Sequence, residues 1–331
     1  MIKLEVIDND SRLRAFESEW SAFARAIAEV TPFQLPEWLL TWWSHFGTTG
    51  QPHVLVFREG GEIAGVIPLF LHQWNGQRQM TLIGSGISDY LEPAIHSQSC
   101  PEILGQLQRH LEAHSDWSIC DWQDLSANTP LSKLKSNGKF DCATTDDQPC
   151  TEIRFTGTFE EFRKARPKDL KRNLRRYRQK AEALGSLLFQ VTKEADPELM
   201  DALVELHTAK WQKRGQLGMI QANGSAEFLC DIARAFAPRD MLRFFSLRFA
   251  GKISALIVAF SYRNTMYGYL SAFHPQHEHL GLGRTLLYDA LRHCHENGYA
   301  AWNFLRGEEP YKFWWGAQKI PKRRVKLIRA S

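Results

Sequence analysis

The stretches VLVFREGGEIAGVIPLF (54–70) and FFSLRFAGKISALIVAF (244–260) follow one pattern. Each has an apolar run, a short turn that contains glycine, and a second apolar run, which is typical of a β-hairpin. At an offset of 190 residues, Arg58 aligns with Arg248, Gly61 with Gly251 and Ile63 with Ile253. The pattern therefore predicts that one hairpin occurs twice in this chain.

Shorter matches extend this repeat towards the N-terminus of each half. LEVI (4–7) resembles LFQV (188–191), and EWLL (37–40) aligns with EFLC (227–230). Each half then contains a strand, helices, a hairpin and a further strand, which predicts a duplicated α/β domain with a mixed sheet flanked by helices. The alternative is two hairpins that are similar by chance. Because residues 125–155 are polar and rich in turn formers, we expect domains at 1–150 and 151–331.

The composition is that of a globular protein with one basic segment. The chain has 331 residues, of which 44% are hydrophobic and 24% charged, and a net charge of +4. Ten Lys or Arg and one acid lie between Arg163 and Lys180, so the rest of the chain is mildly acidic and general coating of nucleic acid is not expected.

The six cysteines have no CxxC spacing, which predicts reduced thiols and no metal site. No segment resembles a signal peptide or a membrane span, so we expect a cytoplasmic location.

Residues 265–304 form a strand, a glycine-containing loop, a helix and a strand, a unit that the first half does not show in its sequence. The helix carries an apolar stripe at helical spacing, and Asn297-Gly298 is a suitable end for it. The free N–H groups at a helix start attract anions, and glycines allow a diphosphate to approach them. Gly281 and Gly283 are therefore candidates for binding a cofactor diphosphate, or else they form only a tight turn.

Two motifs give this region a family resemblance. HLGLGRTLL (279–287) resembles the acyl-CoA loop Q/R-x-x-G-x-G/A of GNAT-fold acyltransferases, with Glu278 in place of the usual Gln or Arg. LRGEEPYKFWWGA (305–317) resembles the signature of CelD-type acetyltransferases. That tandem-GNAT group is linked to cellulose and other exopolysaccharide synthesis and is related to FemAB transferases.

The resemblance extends over most of the chain. SDYLEP (88–93), LPEWLLTWWSHFG (35–47) and RPKDLKRNLRR (166–176) are similar to further parts of the CelD-type family. The family usually has Asp where Asn303 stands. The resemblance implies two tandem GNAT-like domains, with acetyl-CoA as a co-substrate of the second. The cofactor-binding residues that it implies are Leu270, Ser271, Leu280, Gly281, Leu282, Gly283 and Arg284.

The same resemblance assigns catalytic and acceptor roles. Tyr311 stands where a GNAT tyrosine protonates the leaving thiolate, and a tyrosine of ordinary pKa, about 10, is protonated at neutral pH. The alternative for Tyr311 is a hydroxyl satisfied within a core. The candidates for the base are His274 and Glu308. The predicted substrate-binding residues are Asp89 and Tyr90 from the first half, with Arg306 and Lys312, which either hold an anionic group or satisfy charge at a helix end.

The basic segment reads as an amphipathic helix. Thr158 with Glu161 predicts a helix start, and Pro167 predicts an interruption or a restart. Beyond it an apolar face recurs at helical spacing: Leu170, Leu174, Tyr177, Ala181 and Leu184. The cationic face is either solvated or steers CoA and substrate; the alternatives are binding of tRNA and docking to a membrane or a complex. We expect five tryptophans to pack inward: Trp42, Trp43, Trp211, Trp314 and Trp315.

These observations favour an acyltransferase that moves acetyl from acetyl-CoA to an amine or hydroxyl of a small molecule or saccharide precursor. One alternative is a FemAB-like transferase whose partner is aminoacyl-tRNA. Another is a non-catalytic GNAT-like module that regulates polysaccharide synthesis, which the departures at Glu278 and Asn303 favour. No feature of the sequence indicates an oligomeric state.

Overall fold

The computed structural model describes residues 1–213, 215–216, 218–221 and 224–330. The chain folds into two compact units. The first contains Met1–Pro149 together with the segment that begins at Pro321, and the second contains Cys150–Ile320. The sequence predicted a second domain of 151–331. The structure differs from that prediction at the C-terminal end, because the last strand belongs to the first unit.

The first unit is an α/β structure built on a mixed sheet. Its strands are ordered β1-β2-β3-β4-β6-β13, with β5 beside β3, and only β4 and β6 pair in parallel. In chain order the elements are β1 (Ile2–Ile7), α1 (Asp10–Ala26), α2 (Pro36–Phe46), β2 (Gln51–Glu59), β3 (Glu62–Trp74), β4 (Gln77–Leu82), β5 (Ala94–Ile95), α3 (Cys100–Ala113), β6 (Ile119–Ser126), β7 (Phe140–Arg154), whose last five residues belong to the second unit, and β13 (Gln318–Arg329).

The second unit repeats this plan. Its strands are ordered β7-β12-β11-β10-β9-β8, and β11 and β12 are the parallel pair. In chain order the elements are α4 (Phe159–Lys164), α5 (Lys168–Glu182), β8 (Leu187–Thr192), α6 (Pro197–Gln212), α7 (Ser225–Phe236), β9 (Leu242–Phe249), β10 (Lys252–Tyr262), β11 (Thr265–Phe273), α8 (Leu282–Glu296), β12 (Ala301–Arg306) and α9 (Pro310–Trp314).

The two predicted hairpins are confirmed as β2/β3 and β9/β10. Each turn has two central residues with positive φ, which suits the right-handed twist of the strands. In β3, Ala64 is an extra residue between the pairs Arg58–Ile63 and Phe57–Gly65. In β10, Ser254 is the extra residue at the corresponding position of the repeat. A bulge at the same place in both copies supports duplication more strongly than the few identical residues do.

The shared arginine has the same role in both units. Arg58 donates through Nε to Glu5 of β1 at 3.0 Å and through its terminal nitrogens to Glu19 of α1. In the second unit Arg248 donates through Nε to Gln190 of β8 at 3.1 Å and through both terminal nitrogens to Glu198 of α6. Each arginine therefore joins its hairpin to the strand β1 or β8 and to the helix that follows that strand, α1 or α6.

The expectation that only the second half has a strand–helix–strand unit is wrong. In the first unit, β4, α3 and β6 have the same order, and β4 pairs with β6 in parallel as β11 pairs with β12. The sequence obscured this unit because α3 starts at Cys100-Pro101, without glycines, after a loop of residues 83–93 and the short strand β5. The two halves thus differ in how the helix starts, not in whether it exists.

The basic segment forms two helices, as its sequence predicted. Thr158 and Glu161 form a capping box at the start of α4, and α5 restarts after Pro167. Leu170 and Ala181 are buried against α8, whereas Leu184 lies beyond the end of α5 and is 62% exposed. The inward packing expected for Trp314 is also wrong, because this side chain is 41% exposed, while Trp315 beside it is buried.

Two further observations concern the described part of the chain. None of its helices is long and apolar enough to cross a membrane. No group of three or more His, Cys, Asp or Glu in it is arranged to hold a metal ion.

Candidate active site

The parallel strands β11 and β12 diverge in the middle of the second unit. They pair over Thr265–Ala301, Met266–Trp302 and Tyr267–Asn303. Beyond these pairs β11 continues to Phe273 along β10, and β12 continues to Arg306 along β7. Tyr269 is a bulge residue, because Val258 pairs with Leu270 while Ala259 pairs with Gly268. The predicted residues Leu270 and Ser271 therefore lie where β11 has separated from β12, and backbone groups on that edge can bind a ligand amide.

A second bulge sits in β12, and Asn303 holds it. Leu305 has a φ of 62°, and its N–H donates to Oδ1 of Asn303 at 2.8 Å. The Asn303 amide donates in turn to Oε2 of Glu152 on β7 at 3.2 Å. An aspartate at position 303 would face the Glu152 carboxylate without a proton to donate. Asparagine at position 303, where the family usually has aspartate, can therefore donate the hydrogen bond that Glu152 accepts.

Helix α8 starts at the glycine loop without a side-chain cap. Gly281 is the N-cap residue, with a φ of 60°, and no side chain accepts a hydrogen bond at this terminus. The N–H groups of Arg284 and Thr285 donate to the Gly281 carbonyl. The first N–H groups of a helix, here those of Leu282 and Gly283, have no partner within the helix and carry the positive end of its dipole. Leu280 and Leu282 are buried, so only their backbone is available to a ligand.

The glycines of this loop also allow close packing. A Cβ at Gly281 would lie 2.6 Å from ring atoms of Tyr177 on α5, and one at Gly283 would lie 2.9 Å from the Phe273 ring. Arg284 lies between two rings, with its guanidinium 5.7 Å from the centroid of Tyr177 and 5.6 Å from that of Trp314. Both interpretations of these glycines, a tight turn and an anion site, are therefore compatible with this geometry.

Tyr311 stands in the first turn of α9, close to the end of β12. Its ring meets the Phe304 ring edge-on, with centroids 6.1 Å apart, and Phe304 follows the last β12 residue that pairs with β11. Tyr311 is 37% exposed as a residue, yet desolvation around its hydroxyl raises the pKa of that group above its usual value, and the nearby Glu309 carboxylate adds to the shift. A hydroxyl that keeps its proton at neutral pH can act as an acid.

The partners of Lys312 are backbone carbonyls and the carboxylate of Glu309. Its amine donates to the carbonyls of Arg306 at 2.8 Å and Gly307 at 3.2 Å, lies 2.9 Å from Glu309, and is buried. Lys312 thus satisfies the end of β12, which is the alternative to its predicted contact with substrate. Arg306, at the same strand end, is partly exposed.

The two predicted bases have local partners. His274 caps the short 3₁₀ turn Pro275–Leu280, where its Nδ1 accepts from the N–H of Gln276 at 3.2 Å. Glu308 forms an ion pair with Lys319. Glu278, which replaces the usual Gln or Arg of the acyl-CoA loop, pairs with Lys213 at 2.6 Å.

Asp89 and Tyr90 belong to the first unit. Asp89 is buried, and the Tyr90 ring stacks on Phe33, with its centroid 6.2 Å from that of Phe33. The Lys322 amine lies 3.8 Å from the centroid of the Tyr90 ring. Acceptor contact by Asp89 and Tyr90 stays a prediction.

Lys210 is a residue that sequence reasoning did not place at the site. From α6 its amine lies 3.4 Å from the carbonyl of Ser271 and 5.4 Å from the Phe273 centroid. Trp211, expected in the core, is half-buried and donates through its indole N–H to Nε2 of the buried His207 at 2.9 Å. The sequence showed the pair Lys210-Trp211 but not which side chain faces β11, because that depends on how α6 packs on the sheet.

Comparison with known proteins agrees with this architecture. Residues 168–313 match the family model described as an acetyltransferase (GNAT) domain. A comparison with curated proteins finds no match. The CelD-type resemblance is therefore supported only at the level of a GNAT domain.

Solved structures match over nearly the whole chain. The structure of FemX has a TM-score of 0.69 at 11% identity, over 93% of this chain and 95% of FemX. The C-terminal domain of a lysylphosphatidylglycerol synthetase from Agrobacterium fabrum, described as putative, has a TM-score of 0.60 at 12% identity, over 94% and 92% of the two chains. A tandem GNAT protein from the clavulanic acid biosynthesis pathway has a TM-score of 0.50 at 13% identity, over 100% and 99%. At such identities the matches show the fold alone, which is two GNAT-like domains.

Proposed function

We propose, from a GNAT-like transferase fold in which β11 and β12 diverge beside an uncapped helix start, that this protein is an acetyltransferase. Its donor is acetyl-CoA, and its acceptor is an amine or hydroxyl of a small molecule or saccharide precursor. The divergence of the strands carries the proposal, because it leaves backbone groups of β11 available next to the free N–H groups of α8. These groups suit the two polar parts of the CoA arm, its amides and its diphosphate.

The residues of the second unit have separate roles in this reaction. The N–H groups of Leu282 and Gly283 hold the diphosphate, and the edge of β11 at Leu270 and Ser271 orients the arm. The bound thioester supplies an activated acetyl group for attack by the acceptor. Tyr311 donates its hydroxyl proton to the departing sulfur; the proton is present at neutral pH, and the raised pKa makes the hydroxyl a weaker acid than a free tyrosine towards that thiolate.

Two groups are proposed to take the proton of the acceptor. Nδ1 of His274 accepts from the Gln276 N–H, so in the neutral ring Nε2 carries the proton and Nδ1 is the nitrogen that can take the proton of the acceptor, with loss of that hydrogen bond. Glu308 is the second candidate, and its carboxylate forms an ion pair with Lys319. Holding donor and acceptor together contributes a further several kcal/mol on the scale of effective molarities.

A second candidate function is transfer of an aminoacyl group from tRNA. It is favoured by the structural likeness to FemX and by the cations on α5. The likeness shows fold alone, and the described cations of α5 have few aromatic side chains among them on which unpaired bases can stack.

Thermal stability with different donors tests the proposal. Acetyl-CoA at 100 times its Kd should stabilise the protein by about 2.7 kcal/mol, because it binds only the folded state. Acetylated pantetheine lacks the diphosphate and should stabilise far less at the same concentration. Stabilisation by tRNA but not by acetyl-CoA would overturn the proposal in favour of the second candidate. No response to either would favour the non-catalytic module.

A further inference from the structure

The second unit contains a cavity on the side of α8 that faces α4 and α5. Its volume is about 350 Å³, within the range of small-molecule sites. The cavity lies outside the gap between β11 and β12, because its α8 residues, Thr285, Tyr288 and Arg292, share the face turned away from the sheet. The whole lining is Phe162, Arg163, Arg166, Leu170, Lys171, Leu174, Arg175, Arg178, Thr285, Tyr288, Arg292 and Trp315.

Six of these residues are cations, and few acids balance them. Arg163 pairs with Glu160, and Arg178 and Arg292 share the buried carboxylate of Asp289. The remaining three have no carboxylate partner among the described residues: Arg166, which donates to the carbonyls of Phe162 and Trp315; Lys171, which donates to the carbonyl of Lys164; and Arg175. Two carboxylates for six cations leave a strong excess of positive charge, which an anion would relieve.

Arg175 is the most available of these cations. It is exposed, and within the described chain it has neither a hydrogen bond nor an ion pair. Thr285 supplies a second unused group, because it is only 2% exposed and its hydroxyl has no partner in that same part of the structure. A buried hydroxyl without a partner is costly, so Thr285 indicates a polar ligand in the cavity.

Aromatic side chains complete the lining. Phe162 and Trp315 are buried, and Tyr288 is half-buried. The Tyr288 and Trp315 ring centroids are 6.2 Å apart. A wall of aromatic rings beside arginines suits a ligand with a planar ring and a phosphate, and a nucleotide has both.

The cavity lies close, along α8, to the site proposed for the diphosphate of the donor. Thr285 and Tyr288 lie three and six residues after Leu282, so they are about 4.5 and 9 Å along α8 from the proposed diphosphate site. CoA carries an adenosine with a 3′-phosphate on the far side of its diphosphate, and these distances are within its reach. We propose that the cavity binds the adenosine 3′-phosphate of the acyl donor, with Arg175 contacting the phosphate. This inference rests on the proposed acetyl-CoA function.

This arrangement predicts that the protein binds CoA more tightly than dephospho-CoA. Dephospho-CoA has the same arm and diphosphate and lacks only that phosphate. A hydrogen bond to a charged group contributes enough to change affinity about tenfold to hundredfold, so CoA should bind that much more tightly than dephospho-CoA. The difference should shrink as salt is raised.

Calorimetric titration of the full chain with both compounds tests the inference. Arg175→Ala should weaken CoA binding at least tenfold and leave the affinity for dephospho-CoA within about twofold. Lys180→Ala is the matched control, because Lys180 is an exposed cation of the same helix that does not line the cavity. It should leave both affinities within about twofold. Thermal unfolding of each variant checks that the fold is intact.

The outcomes separate this inference from the proposed function. Equal affinity of the wild type for CoA and dephospho-CoA overturns the cavity assignment and leaves acetyl-CoA as the donor. Weakening of both ligands by Arg175→Ala also overturns it, since the residue then acts on something other than the 3′-phosphate. If neither compound binds, both proposals fail. If tRNA binds instead, and Arg175→Ala abolishes that binding, the cavity serves the second candidate donor.

Discussion

At the scale of single residues, substitution of Tyr311 tests the proposed proton donation to the thiolate most directly. Tyr311→Phe removes the proton that is proposed to neutralise the departing thiolate and keeps the ring against Phe304. We expect kcat to fall about 10²-fold, since proton transfer by a positioned group contributes on that scale, while the Kd of acetyl-CoA changes less than threefold. Single-turnover kinetics and calorimetry measure the two quantities.

A matched Tyr-to-Phe control is Tyr262, which lies at the end of β10 beside Arg263 and outside the predicted site. Tyr262→Phe should leave both parameters near the wild-type values. Turnover that is unaffected in Tyr311→Phe would remove this hydroxyl from the mechanism.

Lys312 is expected to matter for stability. Lys312→Met keeps most of the side-chain volume and removes the donor shared by the carbonyls of Arg306 and Gly307. Because those groups and Glu309 lose their partner, the free energy of unfolding should fall by about 2–3 kcal/mol. Urea denaturation measures the change. Lys319→Met, at an exposed ion pair, should cost less than about 1 kcal/mol. Equal costs for the two variants would contradict the structural role.

The residue scale also shows a limit of sequence reasoning. Asn303 was recognised as a departure from the family pattern, but its partner Glu152 lies 151 positions earlier in the chain. Their contact exists because β7 and β12 pair antiparallel, with Asn303 opposite Glu152. Periodicity in one sequence reports the face of a strand and not its neighbour, so the compensation was not predictable.

At the scale of elements, the start of α8 combines two reasons for glycine. Gly281→Ala adds a Cβ 2.6 Å from the Tyr177 ring and also places alanine at a φ of 60°. We expect the free energy of unfolding to fall by about 2–4 kcal/mol, of which about 1–2 kcal/mol is the backbone part. Chemical denaturation of single and double variants separates the two parts.

Two control substitutions separate the cost of the backbone conformation from the cost of the clash with Tyr177. Gly60 has the same φ of 60° and nothing within 4 Å of an added Cβ, so Gly60→Ala reports the backbone part alone. In a Tyr177→Ala background the clash is gone, and Gly281→Ala should cost no more than Gly60→Ala. If the cost stays as high as in the wild type, Tyr177 is not the neighbour that excludes a side chain.

Elements with a local signal were predictable. The hairpins, the capping box at Thr158 and the glycine loop before α8 each depend on residues within a few positions of one another. The unit β4–α3–β6 was missed because its helix starts without such a signal. The cavity was missed because it needs α4, α5 and α8 together, although five of its six cations lie in the basic segment that the sequence indicated.

At the scale of the whole molecule, buried histidines predict a dependence of stability on pH. Burial lowers the pKa of His110 and His207 to about 4 and also lowers that of His53. The unfolded chain, with ordinary histidine pKa values near 6.5, binds more protons between pH 6.5 and 4. The contribution of these histidines to the free energy of unfolding is therefore fully present above about pH 7 and is lost as the pH falls from 6.5 to 4.

Urea midpoints at pH 7, 6, 5 and 4.5 measure this dependence. The loss should reach a few kcal/mol for the molecule at the lowest pH. His110→Gln removes one of these groups and should flatten the profile, whereas His279→Gln, at an exposed position, should leave it as it is. A profile that is flat between pH 7 and 5 in the wild type would contradict the neutral state assigned to these rings.

The division into two units was predictable, but the unit to which the last strand belongs was not. The polar segment 125–155 marked the boundary, because turn formers and a change of composition are local signals. The pairing of β13 with β6 joins residues about two hundred positions apart, such as Leu327 and Cys120. Nothing in the local pattern of β13 specifies that partner.

This return of β13 has a consequence for biosynthesis. The first unit takes residues from both sides of the second, so its sheet is incomplete while the ribosome is still translating the middle of the message. A nascent chain arrested before residue 321 should leave Cys120 accessible to a thiol reagent, although Cys120 is buried in the finished molecule. The half of the protein that is made first is therefore the half that is finished last, and a chaperone has reason to guard its open sheet edge in the interval.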